Sequence, residues 1–216
     1  MRIVDSLSGI ESYYLVISGN GTFPENVILK SLCRKYNGHS KAIFYISTPI
    51  KKQTGLNALN AIPLFPKKFQ INSIIFIIDG EHIKQNAKIE IKKHLKSKGI
   101  GINEVIPLQG AFLIKCKSGP YDIILFCIIL GPEVFIEEEV AELIELNLGV
   151  KIDLSQKKEP AGRKTIKNQI KQVLREKGKT IEELVNNTGK TKLEQTFPNI
   201  CAVLKKIEEE QKNLNR

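Results

Sequence analysis

Two carboxylates separated by a single residue, Asp79-Gly80-Glu81, directly follow the apolar run Ile74-Ile75-Phe76-Ile77-Ile78. A buried strand that stops at an acidic-x-acidic step sets both side chains at its carboxyl end, where open α/β sheets bind ligands. Carboxylates so placed can converge on a hard cation such as magnesium, and Gly80 between them admits backbone angles that other residues avoid. The pair suits the start of a following helix equally well, where negative charge complements the helix dipole. His82, next in the chain, is expected at the surface, because magnesium prefers oxygen donors.

A second loop of interest is Ser18-Gly19-Asn20-Gly21-Thr22, after the apolar run Tyr13 to Ile17. Thr22 and Glu25 have capping-box spacing, and Pro24 stands near the first helical position. Amides at such a helix start, with no side chains in the way at the glycines, can hold a phosphate. Gly19, Asn20, Gly21 and Thr22 are therefore phosphate-binding candidates; the alternative is a tight turn in which Thr22 only caps the helix. No Gly-Lys-Ser/Thr follows, so the loop is not a Walker A motif.

The third constellation is basic. Between Lys157 and Lys179 there are nine lysines and arginines against Glu159 and Glu176 alone. Lys164, Lys167, Lys171 and Arg175 step by three and four residues and line one helix face, with Ile166, Ile170, Val173 and Leu174 on the apolar side. A basic stripe on an anchored helix suits the phosphate backbone of nucleic acid, and it also suits plain solvation. Neither zinc-finger spacing nor an aromatic-rich RNA motif is present, so base-specific readout has no sequence support.

The elements that must position these residues follow from periodicity. Strands are expected at 13–17, 42–46, 74–78 and 103–108, separated by helical segments from about Pro24 to near Asn37-Gly38, over 56–62 (closed by Pro63 and Pro66) and over 83–98. Such alternation predicts a mainly parallel sheet with helices on both faces. A hairpin, Ala111 to Lys117 and Tyr121 to Leu130, turns at Ser118-Gly119-Pro120, and a helix from Glu137 to Leu148 ends at Gly149. Polar residues with Pro160 and Gly162 read as a linker over 155–164. Helices then follow at about 165–177, 180–187 and 197–210, with a turn at Glu194 to Pro198. The expected organisation is an α/β domain over 1–154 and a basic helical region over 155–216.

This order of elements resembles the Toprim fold of topoisomerases, primases and nucleases of the overcoming-lysogenization-defect type: a strand ending in a glycine loop, a helix, a strand, a helix, then a strand ending in acidic-x-acidic. The resemblance covers roughly Tyr13 to Leu108 and implies a Toprim- or Rossmann-like sheet. It also implies magnesium held by Asp79 and Glu81, the latter in place of the usual second aspartate. A glutamate after the first strand, which serves acid–base chemistry in that family, is missing, since the matching stretch reads Ser18-Gly19-Asn20. Neither serine nor asparagine moves a proton as a carboxylate does. The chain thus looks like a degenerate member that binds rather than catalyses, and no catalytic residue is assigned. Two readings stand for the run Glu137-Glu138-Glu139: a substitute for the lost acid, or acidic residues that simply complement their helix dipole.

Composition bounds the partners. A net charge of +10 and a pI of about 9.4 favour a polyanion,, and 42% hydrophobic residues suffice for a packed core,. Cys33, Cys116, Cys127 and Cys201 form no C-x-x-C pair and read as free buried thiols, which points to the cytoplasm. No secretory signal is visible, and the longest apolar run, Ile123 to Leu130, is too short to cross a bilayer, so no membrane role is expected. The reading is a nucleic-acid-associated protein. A magnesium-dependent nuclease using Asp79 and Glu81, and a nucleotide-sensing or protein–protein adaptor domain, are the alternatives. The C-terminal helices also offer a surface for a second copy or a protein partner.

Overall fold

The computed structural model describes residues 1–4, 13–20, 24–36, 43–47, 53–131, 133 and 135–214. The strands are β1 (Arg2–Val4), β2 (Tyr13–Ser18), β3 (Ile43–Ser47), β4 (Ser73–Asp79), β5 (Gly101–Pro107), β6 (Ala111–Ser118) and β7 (Tyr121–Leu130). Among the described residues they form one sheet in the order β1-β3-β2-β4-β7-β6-β5. The β1/β3, β3/β2, β2/β4 and β4/β7 pairs are parallel, whereas β6 runs antiparallel to both β7 and β5. The sheet is mixed.

Side-chain type explains this order. β4 is buried over six consecutive residues after Ser73, so it needs a neighbour on each edge and a layer on each face. β7, the longest strand and apolar on both faces, takes the edge away from β2. β5 carries Asn103 and Glu104 and is exposed at alternating and adjacent positions, which suits an edge,. The strand expected at 103–108 therefore does not follow its predecessor in the sheet, because the hairpin lies between them.

Alternate residues of the central strands supply two cores. Val16, Ile75, Ile77, Phe126 and Ile128 face one side, and Leu15, Ile17, Ile74, Phe76, Ile78 and Leu125 face the other. The first side is covered by α1 (Glu25–Tyr36), α4 (Glu137–Leu148), α5 (Pro160–Glu176), α6 (Ile181–Asn187), α7 (Lys190–Thr196) and α8 (Pro198–Leu214). The second is covered by a 3-10 segment, Gly55–Ala61, with α2 (Leu64–Phe69) and α3 (Ala87–Ser97). Ile166, Ile170, Leu184, Leu193, Phe197 and Leu204 of the C-terminal helices belong to the same apolar cluster as the sheet face.

Several boundaries differ from the expectation. α3 starts at Ala87, not 83, because Asn86 caps it by accepting the Ile89 N–H,. Residues Gly80–His82 make a separate 3-10 turn. The helical segment expected at 56–62 is the 3-10 segment Gly55–Ala61, which ends before Pro63 with Ile62 as its C-cap. Pro63 is also the N-cap of α2, and Pro66, rather than closing a helix, sits in its first turn, where no amide donor is needed,. Likewise Pro160 opens α5 at N1, so the helix begins five residues before the expected Thr165 and the linker shrinks. The turn expected at 194–198 lies mostly in α7.

Candidate functional site

Because β2 and β4 are neighbours, their carboxyl ends and the start of α1 meet. Asn20 joins all three. Its Oδ1 accepts the backbone N–H of Asp79 at 3.1 Å, and its Nδ2 donates to Glu25 Oε1 at 3.1 Å. Asp79 Oδ1 in turn accepts the N–H of Ile136, the N-cap of α4, at 3.2 Å. Glu137, one residue further on, stands close enough to raise the proton affinity of Asp79 by charge repulsion. Glu25, Asp79 and Glu137, from three different elements, are only 3, 4 and 6% exposed.

Burial dominates the electrostatics. Loss of hydration pushes Asp79 up to about 8, and the charges of Glu25, Glu137 and Glu81 add to it, while the Ile136 N–H works the other way,. Glu25 is also raised, chiefly by burial. Glu139, behind them in α4, is pushed up to about 8 by burial, although it accepts the Gly131 N–H at 3.4 Å. One oxygen each of Glu25 and Glu137 (Oε2 in both) is buried with no hydrogen-bond partner among the described residues.

The Glu137-Glu138-Glu139 run is thus not a solvent-facing ornament of the helix dipole, since all three are buried. Glu138 Oε1 accepts the N–H groups of Glu133 and Phe135 at 3.3 and 3.1 Å, fixing the chain before α4. Cations from the C-terminal part answer this acidity. Lys157 Nζ lies 2.7 Å from Glu138 and 3.1 Å from Glu133, and Lys167 Nζ lies 3.2 Å from Glu137 and 5.9 Å from the Phe135 ring centroid. Arg163 pairs with Glu81.

That last pair bears on magnesium. Asp79 is desolvated and spends an oxygen on a backbone amide, and Glu81 already has a guanidinium beside it. Among the described residues no three carboxylate, imidazole or thiol groups come together as a metal site would require. The Asp79–Glu81 pair as it stands does not fit the cation that the resemblance implies. Neither residue caps α3.

The glycine loop is occupied by the fold itself. The Gly19 N–H donates to Ile77 O at 2.7 Å, and Gly19 O accepts the Gly55 N–H at 2.6 Å. A Cβ at Gly19 would stand 2.9 Å from Gly55 O, so this glycine serves a close backbone approach,. The Asn20 N–H is turned to Ser18 Oγ at 3.1 Å. Neither amide is directed at a ligand; Gly21 and Thr22 lie outside the described residues.

Along α5, Lys164, Lys171 and Arg175 are exposed and share one face at seven- and four-residue steps, and no ion pair engages them among the described residues,. Lys167, on the flank of that face, divides itself between solvent and Glu137. Asn20 as a clamp, Glu25 as a buried acid and Arg163 as a counterion escaped sequence reasoning. The one available signal was the buried-type run on both strands, which forces their ends together.

The chain matches no family model, no curated protein and no solved structure.

Proposed function

We propose that this chain is a nucleic-acid-associated protein that binds phosphate backbones through the exposed face of α5 and works by binding rather than catalysis. The observation that carries the reading is a division among the basic residues. Lys157, Arg163 and Lys167 are drawn into ion pairs with Glu138, Glu81 and Glu137, whereas Lys164, Lys171 and Arg175 stand in a row facing solvent. Internal neutralisation does not account for that row, and a net charge of +10 gives it a long-range field that draws polyanions,. A degenerate Toprim-like domain remains the fold-level proposal, supported by β2, β3 and β4 being parallel neighbours and by the acidic step at the end of β4. Support for binding over catalysis comes from Asp79 and Glu81, which are engaged by the Ile136 N–H and by Arg163, with no metal-site cluster among the described residues.

The test is fluorescence anisotropy with labelled DNA and RNA of unrelated sequences over a range of salt. Backbone binding predicts similar affinities across sequences of one base composition and a steep loss as salt rises, because bound phosphates release counterions. Absence of salt-dependent binding to any nucleic acid overturns the proposal.

A further inference from the structure

We infer that the groove between α4 and residues 151–157 docks α3 of a second copy of this chain, in a head-to-tail contact that needs no nucleic acid. The groove has a volume of about 630 Å³, and Glu142, Glu145, Lys151 and Asp153 along it are exposed. Ala141, Ile152 and Leu154 give it an apolar floor. Its charge is unbalanced. Lys157 is held by Glu138 and Glu133, which leaves Lys151 against Glu142, Glu145 and Asp153 among the lining residues. No ion pair engages those three acids among the described residues. Partial burial and the charge of Glu145 raise the proton affinity of Glu142, and an arriving cation relieves that repulsion.

A basic surface of matching character stands on α3. Ile89, Lys92, Lys93 and Lys96 occupy positions i, i+3, i+4 and i+7 and share one helix face, turned away from the buried Ile91 and Leu95,. Ile89 is 63% exposed, the highest value among the exposed large apolar side chains described. Among the described residues no ion pair engages the three lysines, and Glu90, the acid of α3, is turned to the Gln85 N–H at 2.6 Å. On α4, Leu146 is 42% exposed and stands one turn from Glu142. Each surface therefore joins an exposed aliphatic side chain to charge of one sign, and the two signs are opposite.

Topology makes the contact intermolecular. Ile91 and Leu95 of α3 pack on the side of the sheet that carries Leu15 and Phe76, whereas Val140, Leu143 and Ile144 of α4 pack on the side that carries Val16 and Ile75. A molecule cannot place its own α3 in its own groove. A second copy can, and the pair then keeps one free groove and one free α3. Contacts of this heterologous kind add further copies until a ring closes or a chain extends. Lys164, Lys171 and Arg175 of α5 are not part of the groove lining, so the assembly leaves that row open.

Sedimentation velocity over a concentration series, without nucleic acid, tests the contact. At about 0.15 M salt the Debye length is about 8 Å, so the +10 charges of whole copies are screened from one another while contact pairs survive. The average mass should rise from 24.3 kDa past twice that value. Ile89→Gln with Lys93→Gln, and separately Glu142→Gln with Leu146→Gln, should each weaken association about tenfold or more, with thermal melts confirming that both variants fold. Mixed in equal amounts, the two variants supply one intact groove and one intact α3, and should form a pair that grows no further. A wild type that stays at 24.3 kDa up to about 1 mM overturns the inference,, even if a lysine-rich peptide of another protein fills the groove. So do folded variants that associate as wild type does, or a mixture that forms no pair. None of these outcomes touches the nucleic-acid reading, which has its own salt titration.

Discussion

The Asp79 carboxylate accepts the backbone N–H of Ile136 at 3.2 Å, so the last residue of the central strand caps a helix fifty-seven positions later in the chain. α4 has no side-chain cap from its own N-cap residue, an isoleucine. A carboxylate borrowed from β4 takes over that task and fixes the acidic Glu137 next to the ends of β2 and β4.

This role makes stability depend on pH in a definite direction. Asp79 is held up to about 8 in the folded protein, above the ordinary carboxylate value of the unfolded chain,. Between those values the folded state binds a proton that the unfolded state has released, so stability falls as pH rises from about 4 to 8. Asp79→Asn keeps the acceptor for Ile136 and removes the titration. Urea unfolding at pH 5 and pH 8 should show a smaller loss in the variant, the difference being on the order of a few kcal/mol. Glu139, raised to about 8 in the same way, should leave the variant with part of the slope. Parallel pH dependence in the two proteins would show that Asp79 does not titrate in this window.

Asn20→Ala removes two hydrogen bonds at once. The Asp79 N–H loses its acceptor, and Glu25 loses the donor to Oε1. A destabilisation of about 1–3 kcal/mol is expected, read from denaturant midpoints. Asn20→Asp, which keeps the acceptor but places another carboxylate beside Glu25, should be worse at pH 8 than at pH 5.

How much of this was legible beforehand depends on the range of the interaction. β2, β4 and the β6–β7 hairpin declare themselves through local apolar runs and a Gly-Pro turn. The capping box of α6, with Thr180 and Glu183 answering each other, is likewise local. The edge position of β5 depends on a competition with β7 for one neighbour, which no local window contains. Pro160 and Gly162 read as linker residues because both break helix interiors. Yet Pro160 sits at N1, where a missing N–H is harmless, and Gly162 lets α5 approach Gln156 so closely that a Cβ would stand 2.1 Å from its carbonyl oxygen. Arg163 was hidden for the same reason: its partner, Glu81, comes from a distant segment.

Gly19→Ala distinguishes a ligand loop from a packing glycine. The added methyl would lie 2.9 Å from Gly55 O and 3.2 Å from Ile78 Cγ1. The contact with backbone cannot be relieved by a rotamer change, so a loss of about 1–3 kcal/mol is expected. Thermal unfolding without any ligand measures it. An unchanged melting temperature would refute the close approach.

Lys164, Lys171 and Arg175, replaced together by glutamine, should weaken binding by similar factors on unrelated sequences. The slope of log affinity against log salt should flatten by about 2–3 on duplex DNA. The fold should survive, since Ile166 and Ile170 on the opposite side are untouched. Unchanged affinity in the triple variant would reduce the row to a hydrated surface.

The place of β7 beside β4 carries a consequence for biosynthesis. Asp79 pairs in register with Leu130, so one edge of β4, buried over six consecutive residues, waits for a partner about fifty residues downstream. At about 5–20 residues per second, several seconds pass on the ribosome with Ile74 to Ile78 translated and that edge open. An unpaired apolar edge is a template for association with other chains. The nascent protein is therefore most exposed to aggregation, and most in need of a chaperone, during the interval before the hairpin emerges.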